Sequence, residues 1–346
     1  MASEFARLPL WTESGGPDRD IALTARARLA RNIPGFPFPS RASENQLRKG
    51  AQLIRQAAAA RKADLPPLEA HALRRLSEED RNNLVAAQRL SPTLANGDLM
   101  ERWALLDRVG ATSVLINEED HLRLQQVVAG NDIRSAATQA QAIAAILEEE
   151  IRFSKTERWG YLTASLGNIG TGLRVSVLVH LPGMAARQRL GDELAVAYDL
   201  DTAVRGLHGE GSETWGDLYQ ISNRISYGRT ERELTDRVEG TARHLITEER
   251  AARRILGLMH AGFVKTQART RREQLLGAET LTAQEALEIL SGLRLAAACE
   301  LIEGPGPTVF ARMVASLWES EKMVGQRAQI ARAAILREAM RPYLQF

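Results

Sequence analysis

The feature that most constrains this 346-residue chain is a change of character near Thr230. Before it, short runs of strand-like composition recur at uneven spacing, over residues 103–107, 113–117, 160–164, 173–181, 203–207 and 218–222. Two helical patterns also occur there, at residues 45–63 and 132–153. The second places Ile133, Ala136, Ala137, Ala140, Ile143, Leu147 and Ile151 on one stripe. Strands that do not alternate strictly with helices predict an α+β domain with a mainly antiparallel sheet, not a doubly wound parallel one. After Thr230, residues 230–260, 281–303 and 323–343 read as helices and strand patterns stop. The expected organisation is an α+β domain over residues 1–250 followed by an all-helical domain over residues 251–346. Residues 304–308, Gly-Pro-Gly-Pro-Thr, form a rigid turn between the last helices.

A net charge of +2 provides no global field to attract nucleic acid or a membrane, and neither is expected as a partner. Arginine makes up 40 of the 45 basic residues, so an arginine carries functional weight only where its neighbours single it out. The lone cysteine, Cys299, excludes an internal disulfide and any multi-cysteine metal site. The N-terminal sequence MASEFARLPLWTESGG has no apolar leader core, and the longest apolar stretches are too short to span a bilayer. These features predict a cytoplasmic protein.

Four clusters carry chemistry. In Thr24-Ala25-Arg26-Ala27-Arg28, an extended backbone puts Arg26 and Arg28 on one side, where two guanidinium groups repel unless an anion lies between them. A solvated basic edge is the bland alternative. Residues 117–123, Asn-Glu-Glu-Asp-His-Leu-Arg, place three acids in a row after a predicted strand. They face a cation or solvent, or they cap a following helix. Residues 167–174 contain Gly167, Gly170 and Gly172 ahead of Arg174. This is neither a lysine phosphate loop nor a dinucleotide fingerprint, and its glycines permit close backbone approach to a ligand. Residues 205–213 run from a strand end into a glycine-flanked acid, Glu210, which suits a closing loop or a plain hairpin.

In combination these spellings resemble the phosphagen (guanidino) kinases, and within them the bacterial protein arginine kinase branch. The phrases DIALTARARLARNIPGFPFPS, INEEDHLRLQ, GYLTASLGNIGTGLRVSVLVHLP, VRGLHGEGSE and LYQISN occur in family order. The chain starts at the equivalent of the catalytic domain, a trait of that branch. The resemblance implies ATP and Mg²⁺ as cofactors and nucleotide-binding arginines at Arg26, Arg28, Arg123, Arg174 and Arg205. It implies further ATP-contacting positions at Thr24, Ala25, Ala27, Val175, Ser176, Val177, Leu178, Gly206, Leu207, His208 and Gly209. Glu119 is expected as the base and Glu210 as a clamp on the guanidinium, with Glu213 an alternate. The implied activity is transfer of the ATP γ-phosphate to arginine in proteins. Alternatives are a kinase for free arginine or another small guanidino compound, and a nucleotide-binding pseudokinase or adaptor. Implied partners are protein substrates with exposed arginine, a Clp-type unfoldase and a small zinc-binding activator, and a homodimer through the C-terminal helices fits the same family.

The chain departs from the family pattern in three places. Ser165, in the vicinity of the substrate guanidinium, stands where the family has a reactive cysteine, and Leu166 stands where it has proline. Gln88 occupies the position of an ATP-contacting histidine. The branch's Arg-Asp-x-x-Arg-Ala motif, which reads phosphoarginine, survives only as Arg332-Ala333.

Overall fold

The computed structural model describes residues 5, 8–13, 15–206, 214–321 and 325–345. Its strands are β1 (Ala22–Arg31), β2 (Leu68–Ala72), β3 (Trp103–Asp107), β4 (Thr112–Ile116), β5 (Leu122–Ala129), β6 (Lys155–Thr156), β7 (Gly160–Tyr161), β8 (Leu173–His180), β9 (Thr202–Gly206) and β10 (Leu218–Asn223). Its helices are α1 (Glu44–Ala60), α2 (Glu78–Ala86), α3 (Pro92–Asn96), α4 (Ile133–Glu148), α5 (Pro182–Ala186), α6 (Leu190–Asp199), α7 (Glu231–Met259), α8 (Ala261–Gly277), α9 (Ala283–Ala298), α10 (Pro307–Glu321) and α11 (Gln326–Met340).

Eight of the strands form one sheet in the order β2-β3-β4-β5-β1-β8-β10-β9, with every pairing antiparallel. The α+β expectation therefore holds. Alternation along β1 explains its central place. Ala25, Ala27 and Leu29 point to one side, with Leu122, Leu124, Leu173, Val175, Val177 and Ile221 from neighbouring strands, and bury against α4 and α7. Each fully buried Val, Leu or Ile contributes roughly 1.5–3 kcal/mol, so this face anchors the sheet.

The change near Thr230 is the start of α7. Thr230 caps the helix and Glu233 returns a bond to the Thr230 backbone, a reciprocal pair that also opens α1 (Ser43 with Gln46) and α9 (Thr282 with Glu285). Helix α7 runs unbroken through position 250. A second apolar cluster joins Leu23, Val127, Leu178 and Leu218 of the sheet to Leu287, Leu290, Phe310 and Leu336 of the C-terminal helices. Those helices therefore cover one end of the sheet's second face, and α2 and α3 cover β3 and β4 on it through Leu84, Leu94, Ala104, Leu106 and Leu115.

Some expected elements differ. Residues 160–164 pair only at Gly160–Tyr161, because the chain turns there into the loop that meets Asp120. The acidic run at 118–120 is followed by strand β5 and caps no helix. The turn at residues 304–308 leads straight into α10, whose start is Pro307.

Candidate active site

Register places the five singled-out arginines on one face of the sheet. On β1, Arg28 pairs with Arg174 of β8, and Arg26 with Ser176. Across the other ladder Arg26 meets Val127 and Ala30 meets Arg123, so Arg123 lies one step diagonal to Arg28. On β9, Arg205 pairs with Gln220, which itself pairs with Leu178, and this alternation keeps Arg205 on the same face. Thr24, Ser176 and Leu178 share that face. Ala25, Ala27, Val175 and Val177 point to the opposite side, into the core. Gly206 ends β9, and Leu207, His208, Gly209, Glu210 and Glu213 lie outside the described residues.

This face concentrates positive charge on partly buried side chains. Burial, then the neighbouring Arg123 and Arg174, push the Arg26 guanidinium down to about 10. Arg28 is likewise lowered well below its ordinary value, by burial and then by Arg26, Arg123 and Arg174, with Glu118 opposing. The Nε atoms of Arg26 and Arg28 are buried without a hydrogen-bond partner among the described residues. Such an arrangement is costly until an anion arrives, and it fits a polyphosphate. Arg26 Nη1 reaches Gln88 Oε1 at 3.5 Å, and Gln125 Nε2 donates to the Gln88 carbonyl, so Gln88 borders the arginine face. Arg174 Nη2 donates to Ser222 Oγ at 3.4 Å.

The three acids divide into separate tasks. Glu118 is buried and accepts from Arg123 Nη1 at 2.9 Å. Asp120 is buried, and its Oδ1 accepts from Asn32 Nδ2 at 2.6 Å and from the Ala164 backbone N–H at 2.7 Å. Glu119 is the exposed member and makes no hydrogen bond or ion pair among the described residues. Its carboxyl is pushed up by partial desolvation and by Asp120, with Arg123 opposing and Glu118 adding. Of the three, Glu119 alone is available to a cationic ligand.

Asp120 also fastens the loop that carries Ser165. Asn32 is a residue the sequence did not single out, yet it organises this corner. Its Nδ2 donates to Asp120 and to the Leu162 carbonyl, and its Oδ1 accepts from the His121 backbone and ring. Its one sequence signal is position, a short amide directly after the arginine-bearing strand. The glycine stretch works differently from its expectation. A Cβ on Gly170 would lie 2.6 Å from the Ser226 carbonyl oxygen, and one on Gly172 would lie 2.7 Å from that of Ala30. Both also have positive φ, so these glycines admit neighbouring backbone, whereas a Cβ on Gly167 would meet only ordinary contacts, 3.9 Å from Ser165 Oγ and 4.0 Å from the Arg224 carbonyl oxygen.

An antiparallel sheet with an arginine face and a free carboxylate beside it suits an enzyme that moves a phosphoryl group onto a cationic acceptor. Residues 50–252 match the family described as ATP:guanido phosphotransferase, C-terminal catalytic domain. The crystal structure of lombricine kinase superimposes with a TM-score of 0.59 at 26% identity, covering 71% of each chain. The chain belongs to the ATP:guanido phosphotransferase family. Among curated relatives, the protein-arginine kinase of Moorella thermoacetica is 33% identical over 98% of this chain and 99% of its own length. That of Symbiobacterium thermophilum is 36% identical over 84% and 83%. Within the family, this chain is a member of the bacterial protein-arginine kinases. Among the described residues, no helix is long and apolar enough to cross a membrane.

Proposed function

We propose that this chain transfers the γ-phosphate of ATP to the guanidinium group of arginine residues in proteins. The observation that carries this reading is the pairing of a one-sided arginine face with Glu119, a carboxylate free to receive a cation. Arg26, Arg28, Arg123, Arg174 and Arg205 hold the triphosphate, taking the place of a lysine-based phosphate loop. At an effective dielectric near 20, each contact at about 4 Å is worth on the order of 4 kcal/mol before desolvation. Several converging contacts fix the nucleotide and spread the charge that develops at the transferred phosphoryl group. Among the described residues no group of three or more His, Cys, Asp or Glu is placed to hold a metal. Mg²⁺, carried with ATP, would supply charge neutralisation on the triphosphate beside the five arginines.

Glu119 aligns the guanidinium and accepts its proton as the new N–P bond forms. Outright deprotonation beforehand is excluded, because a guanidinium above 12 against a carboxylate near 4.3 is a gap of about 8 units, or ~11 kcal/mol. The raised carboxyl of Glu119 narrows that gap, and orientation supplies much of the remainder. By the family resemblance Glu210 is assigned as a clamp on the guanidinium, and Ser165 lines the guanidinium pocket as a neutral hydroxyl. On the same reading the enzyme works in the cytoplasm, together with a Clp-type unfoldase and a zinc-binding activator.

Incubation with Mg-ATP and either a denatured protein or free arginine tests the proposal, read by mass spectrometry under conditions that spare acid-labile N–P bonds. Phosphoarginine on the protein is expected. Label confined to the free amino acid would reassign the chain as a small-guanidino kinase, and ATP binding without transfer would make it an adaptor.

A further inference from the structure

Leu166 is 83% exposed and follows Ser165 directly. Its loop is fixed in place. The Ala164 N–H donates to Asp120 at 2.7 Å, Asn168 N donates to the Ser165 carbonyl at 3.1 Å, and Tyr161 N donates to the Gly170 carbonyl at 2.7 Å. Two further loops abut it and carry large apolar side chains toward solvent. Trp159 is 40% exposed, Ile225 47% and Tyr227 45%. The backbones touch closely. A Cβ on Gly160 would lie 2.5 Å from the Gly170 carbonyl oxygen, one on Gly170 2.6 Å from that of Ser226, and one on Gly167 4.0 Å from that of Arg224. The rings of Trp159 and Tyr227 stand 5.2 Å apart.

Single exposed apolar residues need no explanation, but four on three interlocked loops form a surface that gains by being covered. We propose that this surface docks a large apolar side chain next to the target arginine in a protein substrate, giving the enzyme a preference for arginines in apolar sequence surroundings. The proposal rests on the protein-arginine kinase reading and extends it to sequence specificity. The occupant follows from continuity with the acidic corner. Asp120 bonds the residue before Ser165, and Glu119 adjoins Asp120, so the Leu166 loop is tied directly to the acidic corner whose free carboxylate receives the guanidinium. An extended peptide rises about 3.3 Å per residue, which brings the side chains one or two positions from the arginine over these loops. Free arginine has nothing to place there.

Two labelled peptides test this, one with Leu-Arg-Leu and one with Ser-Arg-Ser in the same glycine-serine frame. Binding to the full-length protein is read by fluorescence anisotropy without ATP, so the result stands even where no phosphate is transferred. Phosphoarginine formation is read separately, and its absence from both peptides would count against the kinase reading alone. The wild type is expected to bind the leucine peptide about tenfold more tightly, as expected for covering one exposed leucine. Leu166→Ser and Ile225→Ser should remove that preference while leaving affinity for the serine peptide unchanged. Both positions are exposed, so these variants should retain their fold. Equal wild-type affinity for the two peptides, or equal loss for both in L166S, would overturn the proposal. So would a dimer in sedimentation that L166S dissolves while peptide preference persists, which would give the surface to a second copy of the chain.

Discussion

Arg28 stands directly opposite Arg174 across the β1–β8 ladder, a like-charged cross-strand pair whose members share their face with Arg26 and Arg123. Facing like charges destabilise a sheet, and here burial sharpens the conflict. The sheet is stable because its other face is mainly apolar and packs on α4 and α7. The arginine face is thus a strained surface relieved by a polyanion.

Replacing Arg28 by methionine should therefore separate stability from binding. Loss of a buried, repelled charge is expected to raise the stability of the nucleotide-free protein by about 1 kcal/mol. ATP affinity should fall by about 30-fold, for a lost charged contact of ~2 kcal/mol. Thermal unfolding with and without ATP measures both. A variant less stable than the parent without nucleotide would contradict the account of the arginine face.

Glu119→Gln keeps the shape of the side chain and removes the proton acceptor. Phosphoryl transfer should drop by about 100- to 10,000-fold, the range for a positioned general base. ATP affinity should stay within about twofold, because Glu119 contacts none of the five arginines closely enough to form an ion pair. Single-turnover rates and nucleotide titration check the two halves. Full activity in E119Q would remove the base assignment.

The apolar periodicities of α4, α7 and β8 were legible in the sequence because each buries one clear face. Strand β5 was not. Gln125 and Gln126 sit side by side in it and are both buried, since Gln126 accepts from Thr112 Oγ1 on the core side while Gln125 donates to the Gln88 carbonyl on the arginine side. With polar groups satisfied on both faces, no period-2 signal survives. The arginines were legible by spacing on β1, but their gathering from β5, β8 and β9 depends on register, which only the folded sheet sets. Asn32 was hidden for a similar reason, because its partners lie about 90 and 130 residues away along the chain.

Asp120→Asn should move the pH dependence of catalysis. The Asp120 charge is the largest of the neighbouring charges that raise the Glu119 carboxyl, ranking after desolvation. Removing it favours ionised Glu119, so the acid limb of the kcat/KM profile should shift to lower pH. Both hydrogen bonds of Asp120 end on Oδ1, which an asparagine can still present, so D120N should remain well folded. Asp120→Ala leaves the Asn32 amide and the Ala164 N–H unsatisfied and should cost about 2–4 kcal/mol. Denaturant titration separates the variants. An unmoved acid limb in D120N would refute the electrostatic link.

His121 should make the fold acid-sensitive. Burial lowers its ring from 6.5 to about 4, and its Nδ1 lies 2.8 Å from Asn32 Oδ1. A depressed histidine binds fewer protons folded than unfolded, so its contribution is complete above pH ~6.5 and is lost as pH falls toward 4. The loss over that window is roughly 3 kcal/mol. Asp120 and Glu119, shifted upward, act with the opposite sign at the acid end. The difference between wild type and His121→Asn isolates the histidine. It should shrink between pH 7 and pH 4.5 in urea titrations, and a constant difference would show that the ring is not held neutral.

Ser165→Cys should change how the enzyme responds to thiol reagents. In the natural chain the only thiol is Cys299, half-buried, with its Sγ 3.3 Å from the Arg253 carbonyl oxygen and its ionisation made harder by burial. Reactivity follows the thiolate, so iodoacetamide should leave the activity of the natural chain intact. A cysteine at position 165 sits on the loop tied to Asp120, beside the proposed guanidinium site, and is partly accessible to solvent. As a thiolate it would add negative charge against the cationic substrate, which a hydroxyl cannot do near neutral pH. S165C should therefore transfer phosphate about fivefold faster, for ~1 kcal/mol of added stabilisation. Alkylation should then abolish that activity, with bound ATP and substrate protecting it. If S165C is alkylated without loss of transfer, Ser165 does not line the guanidinium pocket.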